Sequence, residues 1–299
     1  MTVCIAARSQ NVIFLAADRM LTAGDIQFEP PASKVHFLTT SIAIMFSGDS
    51  SFHSEVLKNV HNDVKRRVKE DPEKWLFVKD IAEMYVRYRN AEKFRRAEAA
   101  ILEPLGLDRD SFFVRQHELG EGRAATIARD LIQFDVPDVR VIVAGVDDRS
   151  GSPMPHIYTI YGSDVRCDDS IAFAAIGSGA RHAESQFMLA RHAWNSEIPE
   201  TLLLLYAAKK SAEIAPGVGS ETDLFGIGPG LGQVMIPLGE GLINKLKEQH
   251  ENLRVKQAEI QNAAEQEVHR YVDELVKTPK ENQAHPSTAE GESEPEATE

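Results

Sequence analysis

The chain opens with two short apolar runs that predict paired β-strands. Residues 2–7 and 12–17 are mostly apolar, and the four polar residues between them have a composition typical of a hairpin. A second pair of apolar runs covers residues 35–39 and 41–46, and two prolines break the chain just before it. Because these runs are apolar on both faces, we expect a sheet that is covered on each side.

After Ser50 the spacing of apolar residues becomes helical. Valines recur every four residues at positions 56, 60, 64 and 68, with charged residues between them. Asp71-Pro72 should end this helix, because the residue before a proline disfavours helical geometry. Further helices are predicted over about residues 73–102 and 124–134.

The second half of the chain returns to strands and then mixes strands with helices. The predicted strands are residues 139–146, 156–161, 170–176, 223–227 and 233–237, and the predicted helices are about residues 180–194, 199–214 and 241–277. Residues 278–299 have the composition of a disordered acidic tail. Because strands and helices occur in separate blocks, the pattern favours an α+β fold.

Composition and charge narrow the class of protein. The chain has 299 residues, of which 42% are hydrophobic and 26% charged, as in an ordinary globular protein. A net charge of −13 argues against nonspecific binding to nucleic acid, and the basic stretches at 65–67 and 93–96 are interleaved with acids, as on solvated helix faces. With two cysteines, no apolar run of membrane-spanning length and no signal-peptide pattern, we expect a cytoplasmic protein.

Four residues at the ends of the early strands form the candidate catalytic set: Thr2, Asp18, Lys34 and Gly48. Removal of Met1 would leave Thr2 with both a hydroxyl and a free α-amine. A threonine hydroxyl becomes a nucleophile when a base takes its proton, and an N-terminal amine, with a pKa of about 7.7–8.0, can be that base.

The other three residues supply what such a nucleophile needs. A nearby Lys34 ammonium would favour the neutral amine and stabilise negative charge on the hydroxyl. Asp18 can supply the counter-charge to Lys34 if both side chains lie at adjacent strand ends. Gly48 lets a substrate approach the backbone closely, and its N–H can stabilise a developing oxyanion.

In these residues and their spacing the chain resembles the proteasome-type N-terminal nucleophile hydrolases, the family of proteasome β-subunits and bacterial HslV-type peptidases. The matching segments are Thr2-Val3-Cys4-Ile5, Ala16-Ala17-Asp18-Arg19, Leu21-Thr22-Ala23-Gly24, Ser33-Lys34-Val35, Phe46-Ser47-Gly48, Val143-Ala144-Gly145-Val146-Asp147 and Ile176-Gly177-Ser178-Gly179. The resemblance is good over about residues 2–60 and loose over 139–240. Each motif alone is weak, but the ordered set is specific.

The resemblance implies a fold and a domain organisation. The family fold is a four-layer αββα sandwich, in which two packed sheets lie between two helical layers. We therefore expect one proteasome-like domain over residues 1–277. Within it, about residues 90–136 would be a helical elaboration inserted in the first helical layer, and about residues 241–277 a long C-terminal helix.

The resemblance also implies an activity, that of a threonine peptidase or amide hydrolase that uses no cofactor and no metal. Ser178 lies where the family has a serine that bonds the N-terminal amine. Thr22 is expected to pair with the substrate backbone, and Phe46 to narrow the specificity pocket, although core packing explains Phe46 equally well. The implied partners are a peptide or polypeptide substrate, further copies in a homo-oligomeric ring and an ATPase unfoldase, with neither nucleic acid nor a membrane.

A second hypothesis is a proteasome-like scaffold or partner-binding subunit that performs no chemistry. Gly217 stands where the family has an aspartate, if Ser220 matches the serine three residues later. Asp49 follows Gly48, where the family has small residues, and the helical elaboration is large. These three departures favour the scaffold hypothesis. Dinucleotide-binding and zinc-site patterns are not matched by the glycines and histidines of the chain.

Overall fold

A computed structural model describes residues 2–23, 25–71, 74–149, 152–228 and 235–277. The chain divides into two units, Met1–Glu248 and Gln249–Glu299. The described residues of the first unit form antiparallel sheets with helices, so the fold is α+β, as the block pattern of the sequence predicts. No helix within the described ranges is both long and apolar enough to cross a bilayer.

The first sheet is built around the N-terminal hairpin. In spatial order its strands are β10 (Phe173–Gly177), β1 (Val3–Ser9), β2 (Val12–Ala17), β11 (Asp223–Ile227) and β12 (Ile236–Pro237). All four pairings are antiparallel. Every residue of β2 is buried, which agrees with the expectation of a sheet covered on both faces.

The second sheet is also five-stranded and antiparallel. Its strands, in order, are β5 (Val35–Phe37), β6 (Ile42–Gly48), β7 (Val139–Arg149), β8 (Ser152–Tyr161) and β9 (Asp164–Cys167). A separate two-stranded ribbon contains β3 (Leu21–Ala23) and β4 (Ile26–Phe28). The ribbon follows Asp18 directly and leads to Lys34, so it lies between two of the candidate catalytic residues in the sequence.

Seven α-helices are found among the described residues. They are α1 (Ser50–Glu70), α2 (Val78–Ala97), α3 (Arg109–Arg115), α4 (Glu121–Gln133), α5 (Ala180–Leu189), α6 (Ile198–Ala212) and α7 (Glu240–Lys277). The first helix begins where Asp49 caps it, because the Asp49 carboxylate accepts the Phe52 N–H at 2.7 Å. Val56, Val60 and Val64 lie on its buried face, as the four-residue spacing predicts, whereas Val68, the last of the series, is exposed.

The two sheets pack face to face, and each carries helices on its outer face. Along β1, Val3, Ile5 and Ala7 pack in a cluster with α5 and α6, whereas Cys4 and Ala6 pack between the sheets with residues of β6, β7 and β8. This alternation is the two-residue period of a strand. A third cluster joins the outer face of the second sheet to α1 and α2.

Several predicted boundaries are wrong, and the structure gives the reasons. Helix α2 begins at Val78 rather than near residue 73. At Val78 the first N–H of the helix has an acceptor, because it donates to the Asp147 carboxylate at 2.9 Å. Helix α5 ends at Leu189 rather than near residue 194, and Arg191 adopts a left-handed conformation. Strand β10 starts at Phe173, after a left-handed Ala172. Strand β9 was not predicted, because its sequence has no apolar alternation.

The region between α2 and β7 is helical. A π-helical turn, Glu98–Leu102, extends α2 and leads through short turns to α3 and α4. These pieces share a small cluster formed by Leu102, Leu107, Phe112 and Ile127. The region predicted as an elaboration therefore has its own apolar contacts.

Helix α7 belongs to both units. Leu246 and the half-buried Leu242 and Ile243 pack in the cluster of α5 and α6. In the second unit, all described side chains from position 251 onward are exposed. The predicted acidic tail, residues 278–299, lies outside the described residues.

The His156 side chain on β8 contacts two carboxylates from other segments, those of Asp147 and Asp169. Its Nδ1 lies 2.6 Å from the Asp169 carboxylate, and its Nε2 lies 3.6 Å from that of Asp147. Asp169 also accepts the Ile157 N–H at 2.8 Å. The hydrogen bond to Asp169, with the charges of both carboxylates, raises the pKa of His156.

This cluster predicts a pH dependence of stability. Because the folded pKa of His156 is raised, its contribution is fully present below about pH 6.5, the unfolded pKa, and is lost as pH rises through the folded pKa. We expect wild-type protein to lose about 1 kcal/mol more unfolding free energy than His156→Gln between about pH 6 and pH 9, measured by urea denaturation. Equal losses in His156→Gln and wild type would contradict the prediction. The exposed His117→Gln is the control and should behave as wild type.

Candidate active site

The N-terminal hairpin brings Thr2 and Asp18 together. Thr2 directly precedes β1 and Asp18 directly follows β2, and the antiparallel register places Cys4 opposite Ala17. The Asp18 N–H continues this pairing by donating to the Val3 carbonyl at 3.2 Å. One hairpin therefore brings together Thr2 and Asp18, which are sixteen residues apart in the sequence.

The second sheet contributes Lys34 and Gly48 in the same way. Lys34 directly precedes β5, Gly48 ends β6, and Val35 lies opposite Met45. Because the two sheets face each other, the Lys34 side chain reaches across to the start of β1. The structure thus brings together three predicted side chains that belong to different strand ends.

The hydroxyl of Thr2 lies between two charges. It donates to Asp18 Oδ1 and accepts from the Lys34 ammonium. Lys34 Nζ also lies 2.9 Å from Asp18 Oδ1, so the three groups contact one another pairwise. All three side chains are buried. An alkoxide formed at Thr2 would lie next to the ammonium, which favours its formation.

The Asp18 carboxylate is held by the main chain as well. Oδ1 accepts the Val3 N–H at 2.8 Å, and Oδ2 accepts the N–H groups of Met20 and Gly219, each at 3.0 Å. A fully buried carboxylate needs such donors, because burial without partners disfavours the charge strongly. Three chain segments therefore fix the orientation of Asp18, and through it that of Lys34.

Ser178 lies beside the main chain of Thr2. The Thr2 N–H donates to Ser178 Oγ at 3.3 Å, and Ser178 Oγ also lies 3.2 Å from the Pro216 carbonyl oxygen. Gly177 has a φ of +99°, and a Cβ there would stand 2.1 Å from the Thr2 carbonyl oxygen. The Gly-Ser turn predicted from sequence thus requires glycine at position 177, because the Thr2 backbone passes directly over it.

A cavity of about 60 Å³ opens beside the Thr2 hydroxyl. It is lined by Thr2, Met20, Leu21, Thr22, Lys34, Phe46, Ser47, Gly48 and Ser50. The buried Thr22 Oγ1 has no hydrogen-bond partner among the described residues. Gly48 has a φ of +113°, and a Cβ there would lie 2.1 Å from the Asp138 carbonyl oxygen, so only glycine fits.

The Phe46 ring packs between two histidines. It stacks on His53 of α1, with ring centroids 3.6 Å apart, and on His36 of β5 at 5.8 Å. His53 Nδ1 lies 3.0 Å from the Tyr85 hydroxyl. Burial, with a smaller effect of His36, lowers the pKa of His53 to about 3, so His53 stays neutral. No sequence pattern predicts this stack, because its members come from three separate elements.

Asp49 and Gly217, which depart from the pattern of the resembled family, and two neighbouring polar residues have defined places in the structure. Asp49 is the N-cap of α1, so its carboxylate is used in helix capping. Arg19 forms an ion pair with Asp223 at 2.6 Å. Gly217 adopts a left-handed conformation, and the exposed Ser220 lies 3.5 Å from the Glu29 carboxylate.

Lys209 is a residue of this region that the sequence analysis missed. It is buried beneath the loop that contributes the Gly219 N–H to Asp18, and it donates to the carbonyl oxygens of Gly219 and Ser220 at 2.9 and 2.8 Å. One signal was present in the sequence. Lys209 lies four residues after Leu205 and three before Ala212, both buried, so a charge interrupts the apolar face of α6.

No protein-family model matches the chain, and no curated protein is significantly similar to it. The functional proposal therefore depends on the geometry of the site and on the resemblance of its motifs.

The close contact between Gly177 and Thr2 predicts a position-specific loss of stability. We expect Gly177→Ala to lower the unfolding free energy by about 3 kcal/mol, because the new Cβ meets the Thr2 carbonyl and the φ is strained. Gly162→Ala is the matched control: its φ is +60°, but a Cβ there has no atom within 4 Å. It should cost only about 1 kcal/mol in urea unfolding. Equal losses at the two positions would show that the contact with Thr2 is unimportant.

Proposed function

We propose that the chain is a threonine-type peptidase or amide hydrolase of the proteasome β-subunit kind, with Thr2 as its N-terminal nucleophile after removal of Met1. The observation that carries the proposal is the Thr2 hydroxyl, which contacts both the Lys34 ammonium and the Asp18 carboxylate beside a small cavity. A threonine without a catalytic role does not need two buried charges beside its hydroxyl. A nucleophile that must become an alkoxide needs such charges to stabilise it.

In the first step the Thr2 oxygen attacks the carbonyl carbon of a substrate amide. The α-amine of Thr2 takes the hydroxyl proton, directly or through a water, and the Lys34 ammonium stabilises the charge on the oxygen. Gly48, in the wall of the cavity, donates its N–H to the oxyanion of the tetrahedral intermediate. Ser178 holds the amine in place.

In the second step the intermediate collapses. The amide C–N bond breaks, and the leaving amine takes the proton from the ammonium of Thr2. The product is an ester between Thr2 and the acyl part of the substrate. The amine then deprotonates a water that hydrolyses the ester and restores the free hydroxyl. Thr22, in the wall of the cavity, pairs with the substrate backbone, and the Phe46 ring limits the size of the side chain next to the cut bond.

The fold supports the same family. Two facing sheets with α5 and α6 on one outer face and α1 and α2 on the other agree with an αββα sandwich. By the same resemblance we also propose a cytoplasmic location, a homo-oligomeric ring that encloses the sites, and an ATPase unfoldase that delivers polypeptide substrates.

One observation favours the alternative, a catalytically silent scaffold or partner-binding subunit. Position 217, in the loop next to Ser178, is a glycine, so this position supplies no carboxylate to the Thr2 nitrogen. The scaffold hypothesis predicts that the ring or complex assembles normally with Thr2 replaced by alanine and that the purified protein has no amidase activity to lose.

Labelling of the nucleophile separates the two functions. We expect the intact mass of the purified protein to show loss of Met1, and a small hydrophobic β-lactone to add once, at Thr2, by acylation of its hydroxyl. Thr2→Ala should be unlabelled and should lose peptide hydrolysis by about 10⁴-fold. Thr2→Ser keeps the hydroxyl and should be labelled.

The control is Thr126→Ala, which removes a hydroxyl that donates to the Gly122 carbonyl within α4, and this variant should be labelled like wild type. Retention of Met1 in the mature protein, or equal labelling of Thr2→Ala, would rule out the peptidase proposal. Wild-type protein that loses Met1 but is neither labelled nor hydrolytic would favour the scaffold.

A further inference from the structure

Lys209 carries a buried ammonium in the last turn of helix α6. Its relative exposure is 0%, and its three hydrogen-bonding directions are all used. Two go to the carbonyl oxygens of Gly219 and Ser220, at 2.9 and 2.8 Å, and the third to the Glu213 carboxylate. Burial lowers the pKa of Lys209, and the bond to Glu213 opposes that shift.

The loop that Lys209 binds is also held by a second charged side chain, that of Glu29. The Glu221 N–H donates to the Glu29 carboxylate at 3.3 Å, and the Ser220 hydroxyl lies 3.5 Å from the same group. The loop is therefore held by a cation at its carbonyl groups and by an anion at an N–H. These contacts hold the main chain of a loop that has no regular secondary structure.

The fixed loop contacts Asp18 through the main chain of Gly219. The N–H of Gly219 donates to Asp18 Oδ2, and the other oxygen of Asp18 contacts Lys34 and the Thr2 hydroxyl. The carbonyl of Gly219 is the one that Lys209 binds. A single loop residue thus connects the buried ammonium to the Asp18 carboxylate.

We propose that Lys209 is a positioning residue: it holds the Gly219 N–H on Asp18 and so keeps the Asp18 carboxylate and the Lys34 ammonium aligned on the Thr2 hydroxyl. The effect on reaction rate rests on the proposed function, but the effect on the loop does not. Misplacement of a reacting group by about 1 Å can lower a rate about 10²-fold.

The test compares Lys209→Met with Lys210→Met. Methionine has a similar length and no charge. Lys210 lies next to Lys209 on α6 and bonds the same Glu213 at 2.8 Å, but within the described part of the chain it makes no hydrogen bond to the loop carbonyls. Both variants remove one positive charge, so a difference between them isolates the contact with the loop.

Two readouts are measured on the full-length protein. Amide hydrogen exchange over residues 217–222 reports the loop whether or not the protein is an enzyme, and in Lys209→Met we expect exchange to be about tenfold faster. The rate constant of Thr2 acylation by the β-lactone should fall about 10²-fold, with lactone binding within about threefold of wild type. Lys210→Met should match wild type in both.

Unchanged exchange in Lys209→Met would overturn the inference, and so would faster exchange with an unchanged acylation rate constant. If wild-type protein is not acylated at all, the proposed function fails, and the exchange data still decide whether Lys209 holds the loop. Should Lys209→Met not fold, Lys209→Gln, whose amide can still donate one hydrogen bond, takes its place. If neither variant folds, Lys209 is a folding residue and the positioning role is rejected.

Discussion

The buried ion pair of Asp18 and Lys34 is the constraint on which the candidate site depends. Removing two charges from water costs several kcal/mol per ion, and their attraction offsets this only with good geometry and further hydrogen bonds. Here the further bonds come from the N–H groups of Val3, Met20 and Gly219 and from the Thr2 hydroxyl. The pair can therefore exist only where several distant segments meet.

That requirement explains features of the surrounding fold. The first sheet brings Asp18 to the start of β1, and the second sheet, packed against it, brings Lys34. Glycine stands at position 177, where the Thr2 backbone passes too close for any side chain. The loop at Gly219 contributes no side chain to the pair; it contributes an N–H, and the charges of Lys209 and Glu29 hold it in place.

Local pattern predicted the early part of the molecule well. The strand hairpin, the helix after Ser50 and the strand Asp223–Ile227 follow from apolar runs and from the change of period from two to about four residues. Pattern failed where local chemistry does not decide the structure. Strand β9 is polar and exists because β8 pairs with it, and α2 starts late because Asp147, far away in sequence, accepts the Val78 N–H.

For the site itself, the sequence alone determined the candidates Thr2, Asp18, Lys34 and Gly48, because each stands next to or at the end of a predictable strand and because their order and spacing resemble a known catalytic pattern. Only the tertiary structure decided which groups complete it. Gly219 is 201 residues from Asp18, Lys209 bonds carbonyls of a loop that has no regular pattern, and the partners of Phe46 come from β5 and α1. These contacts depend on how the sheets, helices and loops pack, and packing between distant segments leaves no periodic signal in the sequence.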